Sequence, residues 1–290
     1  MSTTTLLSRN LSRSRRFKNR VATAGVWLSV VVAAVPLLFV IAYLVQKGAE
    51  VVDWDFLTQD IPIISRLPGP GMGPAVLGTL LITGAATAMA VPLGVLAAVY
   101  LNEYGKKRRL ANFVRFLSDV MAGVPSIVMG LFIYTVWVLN FGQSGFAGAL
   151  ALGCLMLPIV IRSAETALQL VPNELREASA ALGARTSRTT LTVVIPAALS
   201  GLVSGALLAV ARAAGETAPL LFTIGTVTAA NPDLFDGANT ALSTQIFKNA
   251  TQPFEAPIQR AWGAALTLIL LVFILTAVAR LAARRFTLRS

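Results

Sequence analysis

Arg212 and Glu216 stand four residues apart inside a long apolar stretch. An ionised group at bilayer centre costs about 2.5–3.5 kcal/mol on an insertion scale, so such residues face a bundle interior or a wet cavity. The spacing lets the two pair on one helix face, although an acid ahead of a base would suit the helix dipole better. Around them, Ala213, Ala214 and Gly215 permit close helix approach, Pro219 removes a backbone hydrogen bond, and Thr217 and Thr223 supply hydroxyls. Two readings follow. Arg212 attracts an oxyanion in transit while Glu216 restrains it so that the anion can leave, or the pair is a salt bridge that holds two helices together.

Two further charge sets lie at the ends of apolar runs. Arg115 and Asp119 are spaced for an intrahelical ion pair. Arg162 and Glu165 form either an inner gate or a solvated pair at a membrane edge. Elsewhere, reactive chemistry is missing. The chain has no histidine, and its single cysteine, Cys154, sits inside an apolar run. Histidine-based catalysis, zinc clusters and internal disulfides are therefore excluded, and no nucleophile–base constellation points to a membrane enzyme.

The elements that must position these charges are membrane spans. Of 290 residues, 56% are hydrophobic and 13% charged, about half the charged share of a soluble domain. Mean hydropathy is +0.73. Six apolar runs, 21–45, 74–101, 113–140, 146–168, 197–225 and 261–283, are each long enough for a hydrocarbon core of roughly 30 Å at about 1.5 Å per residue. The fourth loses its apolar character near Arg162 and is expected to continue as helix beyond the membrane. The first is too long for a signal-peptide core. Gly123, Pro125 and Gly130 mark a kink and close packing in the third.

Net charge is +11 and the pI about 10.8. In a soluble protein this would suggest nucleic acid. Here the bases flank apolar runs, which is the signature of membrane orientation. With the amino terminus inside, nineteen of the 24 Lys and Arg fall on the cytosolic side, including Arg9, Lys106, Lys107, Arg284, Arg285 and Arg289, and only Lys47, Arg66, Lys248 and Arg260 lie outside. The organisation expected is a basic cytosolic tail over 1–20, a first span over 21–45, an outer loop over 46–73, a core over 74–284 and a cytosolic tail over 285–290. In the second outer loop, 226–260, Leu242–Ala250 reads as a short interfacial helix that contacts a receptor, or as part of an ordinary ordered loop.

The cytosolic connection 170–196 reads as a docking element. Pro172 opens a helix, Asn173–Leu182 continues it, and Gly183 ends it in a left-handed cap. Leu175, Ala178 and Leu182 share one face, a shape suited to another protein's groove.

These residues carry a family resemblance. Glu177-Ala178-Ser179, Gly183, and then Val193, Ile195 and Pro196 resemble the EAA loop of ABC importer permeases, with Ser179 and Val193 as small departures. Arg212-Ala213-Ala214-Gly215-Glu216-Thr217-Ala218-Pro219-Leu220-Leu221-Phe222-Thr223 resembles the signature of PstA-type phosphate permease subunits. So do Gly123-Val124-Pro125-Ser126-Ile127-Val128 with Gly130-Leu131-Phe132, and Gly73-Pro74-Ala75 with Gly78-Thr79. The Thr-Ala-Pro-Leu-Leu ending fits PstA better than its sister PstC. The likeness runs from Pro74 to the end of the sixth span.

The resemblance implies an all-α integral membrane protein of the type I ABC importer permease fold, with six transmembrane helices and both termini cytosolic. It implies that Arg212 and Glu216, with Thr217 beside them, serve phosphate passage, and that Glu177, Ala178, Gly183 and Pro196 belong to the loop that couples to an ATPase. The implied partners are a PstC-type subunit in a heterodimer, a PstB-type ATPase dimer, a PstS-type phosphate-binding protein and membrane lipid, without nucleic acid. Gly105-Lys106 lacks the Gly before and the hydroxyl after that a phosphate-binding loop needs, so ATP and Mg would belong to the partner ATPase and no cofactor to this chain. The rival readings are a permease for sulfate or molybdate and an ion-coupled secondary transporter. The latter should show two repeated halves, and no such repeat is visible.

Overall fold

The computed structural model describes residues 13–69, 71–105 and 108–287. The orientation charges Arg9, Lys106, Lys107 and Arg289 lie outside the described residues, as do the side chains of Arg284 and Arg285. Two compact units divide at Lys47 and Gly48. The first unit is helical from Arg13, inside the segment expected as a tail, and is the greater part of α1 (Arg13–Ala49). Pro36 lies within α1 without ending it.

The second unit begins with the last turn of α1 and the short α2 (Trp54–Thr58). The helix α3 (Gly73–Val99) starts on Pro74 and runs into a π-turn at Tyr100–Tyr104. Next come α4 (Arg109–Gly123) and α5 (Ser126–Ile133), the latter prolonged by a π-turn and by α6 (Leu139–Phe141). The helix α7 (Gly145–Gln169) is capped by the Ser144 side chain, whose oxygen accepts from the Ala147 N–H. After the loop helices α8 (Asn173–Ala181) and α9 (Thr186–Thr189), a π-turn leads into α10 (Ile195–Gly215). The chain ends through α11 (Ala218–Thr223), α12 (Leu242–Ala250) and α13 (Glu255–Thr287).

Five stretches are long and apolar enough to cross a membrane: Phe17–Ala49, Gly73–Tyr104, Gly145–Gln169, Thr186–Gly215 and Glu255–Leu281. The pair Arg109–Gly123 and Ser126–Phe141, bent by 104°, is long and apolar enough for a sixth if it is counted as one broken span. Two expected spans thus need correction. The third is not one helix over 113–140. The Pro125 ring lacks an N–H and forces Val124 out of the helical region, to ψ 127°. The fifth does not run unbroken over 197–225. It begins at Thr186 and stops at Gly215, and Glu216 is extended with ψ 130°. There Pro219 would clash with the Gly215 carbonyl of a continuing helix. Pro92 and Pro158 interrupt neither α3 nor α7, so proline alone does not decide a break.

The core is built from small residues, which let helices pack without a hydrophobic drive between them. Ile82, Ala86 and Ala90 of α3 meet Ala149, Leu152 and Met156 of α7, Ala209 and Ala213 of α10, and Leu220 of α11. The Gly78-Thr79 pair explains how α12 is seated. A Cβ on Gly78 would fall 1.9 Å from the Thr240 carbonyl, and the Thr79 hydroxyl accepts from the Leu242 N–H at 2.9 Å. With Leu242 to Gln245 and Asn249 buried, α12 is an ordered part of its loop. That loop is laced to 46–73 by the Ile61 N–H donating to the Thr228 carbonyl at 2.9 Å. Buried Arg260 donates to the carbonyls of Leu67, at 2.8 Å, and Ser65. Lys248 donates to Thr226, and burial pushes its ammonium below the usual lysine value.

The two broken spans lean on one another. A Cβ on Gly130 of α5 would meet Pro219 Cα of α11 at 2.5 Å. Backbone cannot yield there as a flexible side chain would. Gly130→Ala is therefore expected to cost about 1–3 kcal/mol, read as a lower thermal midpoint in detergent, whereas Gly84→Ala, where nothing lies within 4 Å, leaves the midpoint unchanged or raised.

Candidate functional site

The break after α10 resolves the awkward order of Arg212 and Glu216. In a continuous helix the base would precede the acid. Here Arg212 occupies the last turn of α10, where cations are favoured, and Glu216 stands beyond the helix end. Arg212 Nε lies 3.5 Å from Glu216 Oε1. The Arg212 side chain is 68% exposed and Glu216 19%. Glu216 is held by its backbone: its N–H donates to Ala213 at 3.1 Å, and its carbonyl accepts from Ser243 Oγ at 2.9 Å. The Thr217 carbonyl starts α11 by accepting from Leu220 and Leu221 at 3.1 and 3.2 Å. Ala213 and Ala214 are buried in the core, so the opposite face of that helix turn carries Arg212 outward. Among the described residues, Glu216 is the guanidinium's hydrogen-bond partner, and the contact is long.

A second set of charges joins α4 to α7, corrects the expected pairing of Arg115 with Asp119 and retains that of Arg162 with Glu165. Arg115 does not pair with Asp119. Its Nε donates to Glu165 at 2.8 Å, and its Nη2 donates to the Leu101 carbonyl at 3.0 Å. Asp119 instead accepts from Arg162, with Nε at 2.9 Å. Arg162 and Glu165 are 3.5 Å apart, with the Arg162 side chain 47% exposed and that of Glu165 buried. Helix spacing offered each residue a neighbour on its own helix. The crossing of α4 and α7 offered shorter bonds across the interface, and those won. The result is a neutral quartet of two bases and two acids.

The loop between α7 and α10 has the expected form. Gly183 has φ +77°, and the N–H groups of Gly183 and Ala184 return to the carbonyls of Ala180 and Ser179 at 2.9 and 3.1 Å. Ser179, the departure from Glu-Ala-Ala, shares a 2.8 Å hydrogen bond with the Thr189 hydroxyl, tying α8 to α9. Glu177 and Ala178 are exposed, and so are Leu175 and Leu182, the latter by 89%. Pro196 begins α10. Behind this face Arg176 binds Glu103, Nη2 to Oε1 at 2.9 Å. The sequence reading passed over Glu103. Its signal was an acid two residues past the end of an apolar run, a position that demands a partner.

Comparisons with known proteins agree with this architecture. The family model described as "Binding-protein-dependent transport system inner membrane component" matches residues 90–288. The chain is 44% identical to the "Phosphate transport system permease protein PstA 1" of Mycobacterium tuberculosis over 270 residues, covering 91% of this chain and 87% of the relative. It is 38% identical to the PstA permease of Haemophilus influenzae over 271 residues, covering 92% and 94%. Among solved structures, the inward-facing MetNI methionine ABC transporter aligns with TM-score 0.57 at 21% identity, over 73% of this chain and 93% of that one. The shared fold is that of type I ABC importer permeases, an all-helical, multi-pass membrane architecture.

The quartet separates a buried acid from an exposed one. Glu165→Gln leaves Arg115 without its carboxylate and is expected to cost about 1.5–3 kcal/mol. Asp119→Asn, at a side chain 53% exposed, should cost under about 1 kcal/mol. Thermal unfolding of the two purified variants in detergent checks the order.

Proposed function

The chain belongs to the binding-protein-dependent transport system inner membrane family, in its PstA-type branch, and on that premise we propose that it carries inorganic phosphate across a bacterial inner membrane. It is a permease subunit of an ATP-driven importer. A homologous PstC-type subunit completes the pathway, a PstS-type protein delivers phosphate from outside, and a PstB-type ATPase dimer, using ATP and Mg, drives the cycle from the cytosol, where both termini lie. This chain catalyses no covalent step. ATP binding clamps the coupling loops and shifts the population between outward- and inward-open forms.

The observation that carries the reading is the state of Arg212. Its guanidinium projects from a core-packed helix turn at a break in the fifth span, held by one 3.5 Å contact. A buried strut would be shorter and more fully bonded, as Arg115 is to Glu165 at 2.8 Å. Guanidinium matches the geometry of a phosphate oxyanion. Glu216 competes for the same cation, which keeps the anion from staying, and Thr217, the next residue in the chain, brings a hydroxyl that serves in this reading as a further donor. Leu182 and Leu175, exposed on α8, supply an apolar face for the ATPase. A permease for sulfate or molybdate is the second reading, and the names of the relatives weigh against it.

Two variants test these assignments. Arg212→Gln should lower labelled-phosphate uptake to the level of cells lacking the chain while the complex still assembles; normal uptake would favour a purely structural pair, and loss of sulfate uptake with phosphate intact would favour the second reading. Gly183→Val should weaken ATPase docking, because a β-branched residue at φ +77° is disfavoured by about 1–2 kcal/mol. Undiminished co-purification of the ATPase would count against the docking role.

A further inference from the structure

The π-turn that closes α3 is gripped from two sides by arginines of other elements. On one side is Arg176 of α8. Besides Nη2 to Glu103 Oε1 at 2.9 Å, its Nε reaches both Glu103 oxygens at 3.3 Å. Its Nη1 donates to the Val171 carbonyl at 2.7 Å, and its Nη2 to the Leu168 carbonyl at 3.0 Å. Those carbonyls belong to the end of α7 and the residues after it, where a helix leaves acceptors without partners. Glu103 is 6% exposed and Arg176 15%, and Asn102 Nδ2 donates to Glu103 at 2.7 Å. On the other side, Arg115 of α4 donates to the Leu101 carbonyl of the same π-turn. Charge-assisted hydrogen bonds thus hold the π-turn at both ends of a short backbone segment, from α8 at Glu103 and from Arg115 at the Leu101 carbonyl, and Arg115 lies on the helix that ends at the 104° bend.

We infer that Glu103 is a positioning residue whose ion pair with Arg176 makes α8 and the end of α3 move as one body, so that displacement of the docking loop reaches α4 and its bend. The inference rests on the proposed function, since it takes α8 to be the element the ATPase moves. The arrangement fits this use better than simple support of α8. Apolar packing, with Leu168, Val171 and Val194 in a cluster with Ala98, already secures the base of the loop. A charged pair in low dielectric adds bonds that resist sliding, where apolar contacts slip. The π-turn itself is a local break in the regular bonding of α3, a place where the helix end can shift without unwinding the rest.

The test uses the complete four-component complex in proteoliposomes, with ATP hydrolysis and phosphate uptake measured together. Glu103→Gln keeps the shape and removes the charge. It should retain the ATPase and its basal hydrolysis while phosphate moved per ATP falls about 5–150-fold, and Glu103→Asp should recover most of the loss. An unchanged ratio overturns the strut, and so does loss of the ATPase from the variant, because then the pair only shapes the docking face. A wild-type complex that holds no ATPase or moves no phosphate overturns the underlying function instead. A second measurement leaves the pair intact. Spin labels at Tyr104→Cys and at Ala180→Cys, an exposed position of α8 away from the face of Leu175 and Leu182, in a Cys154→Ala background, should keep one distance with and without a non-hydrolysable ATP analogue. A change of several ångströms on nucleotide binding would show that α8 slides past the π-turn and end the proposal.

Discussion

Charge in a low-dielectric membrane must be answered by charge or by aligned dipoles, and the second unit of this protein is organised around how fully each answer is given. Arg115, Arg162 and Arg176 each meet an acid through bonds of 2.8–2.9 Å. Two of them also gather backbone carbonyls. These are the sites where α4, α7, α8 and the end of α3 converge. Arg212 is answered incompletely, by one acid at 3.5 Å, at the point where the fifth span breaks. A guanidinium left under-bonded is poor structural glue. It is a good reversible partner for an anion, because binding need not first dismantle a network of strong bonds.

Helix breaks supply the geometry for this difference. Pro125 and Pro219 end helices at places where the chain also has glycine close by, Gly123 in one case and Gly215 in the other. Pro92 and Pro158 lack such a neighbour on their amino-terminal side and stay within helices. Low helix propensity and a missing N–H act together, and neither alone suffices. The two half-helices α5 and α11 then bury their backbones against each other through Gly130 and Pro219, which satisfies the requirement that irregular backbone inside a membrane be covered by protein. Breaking both spans also sets α5 against α11, the half-helix that follows Arg212 and Glu216 in the chain.

Much of this was legible in the residues. Apolar runs marked the crossings, since burying them needs no tertiary context. Gly183 marked the loop cap, since a left-handed turn favours one residue type. Arg212 and Glu216 announced themselves by being charged where charge is costly. The ends of the fifth span were misplaced because an apolar run shows where a helix can lie in lipid, not where its backbone stops being helical. The pairings of Arg115 and Asp119 were misassigned for a related reason. Spacing along one helix shows which neighbours are available locally, while the partner that wins comes from a helix about fifty residues away in the chain, Glu165 being fifty positions beyond Arg115. Glu103 escaped notice because its partner, Arg176, lies beyond four intervening helices, α4 to α7, and only the folded bundle brings them together.

The central claim is that the positive charge at position 212 is what phosphate requires there. It is tested most directly by removing that charge and restoring it chemically. In a Cys154→Ala background, Arg212→Cys should take up no labelled phosphate in proteoliposomes containing the whole complex. Treatment with an aminoethyl methanethiosulfonate, which attaches a primary ammonium, should return uptake, whereas the sulfonatoethyl reagent, of similar size and opposite charge, should not. Equal recovery with both reagents, or full uptake before either is added, would contradict the account.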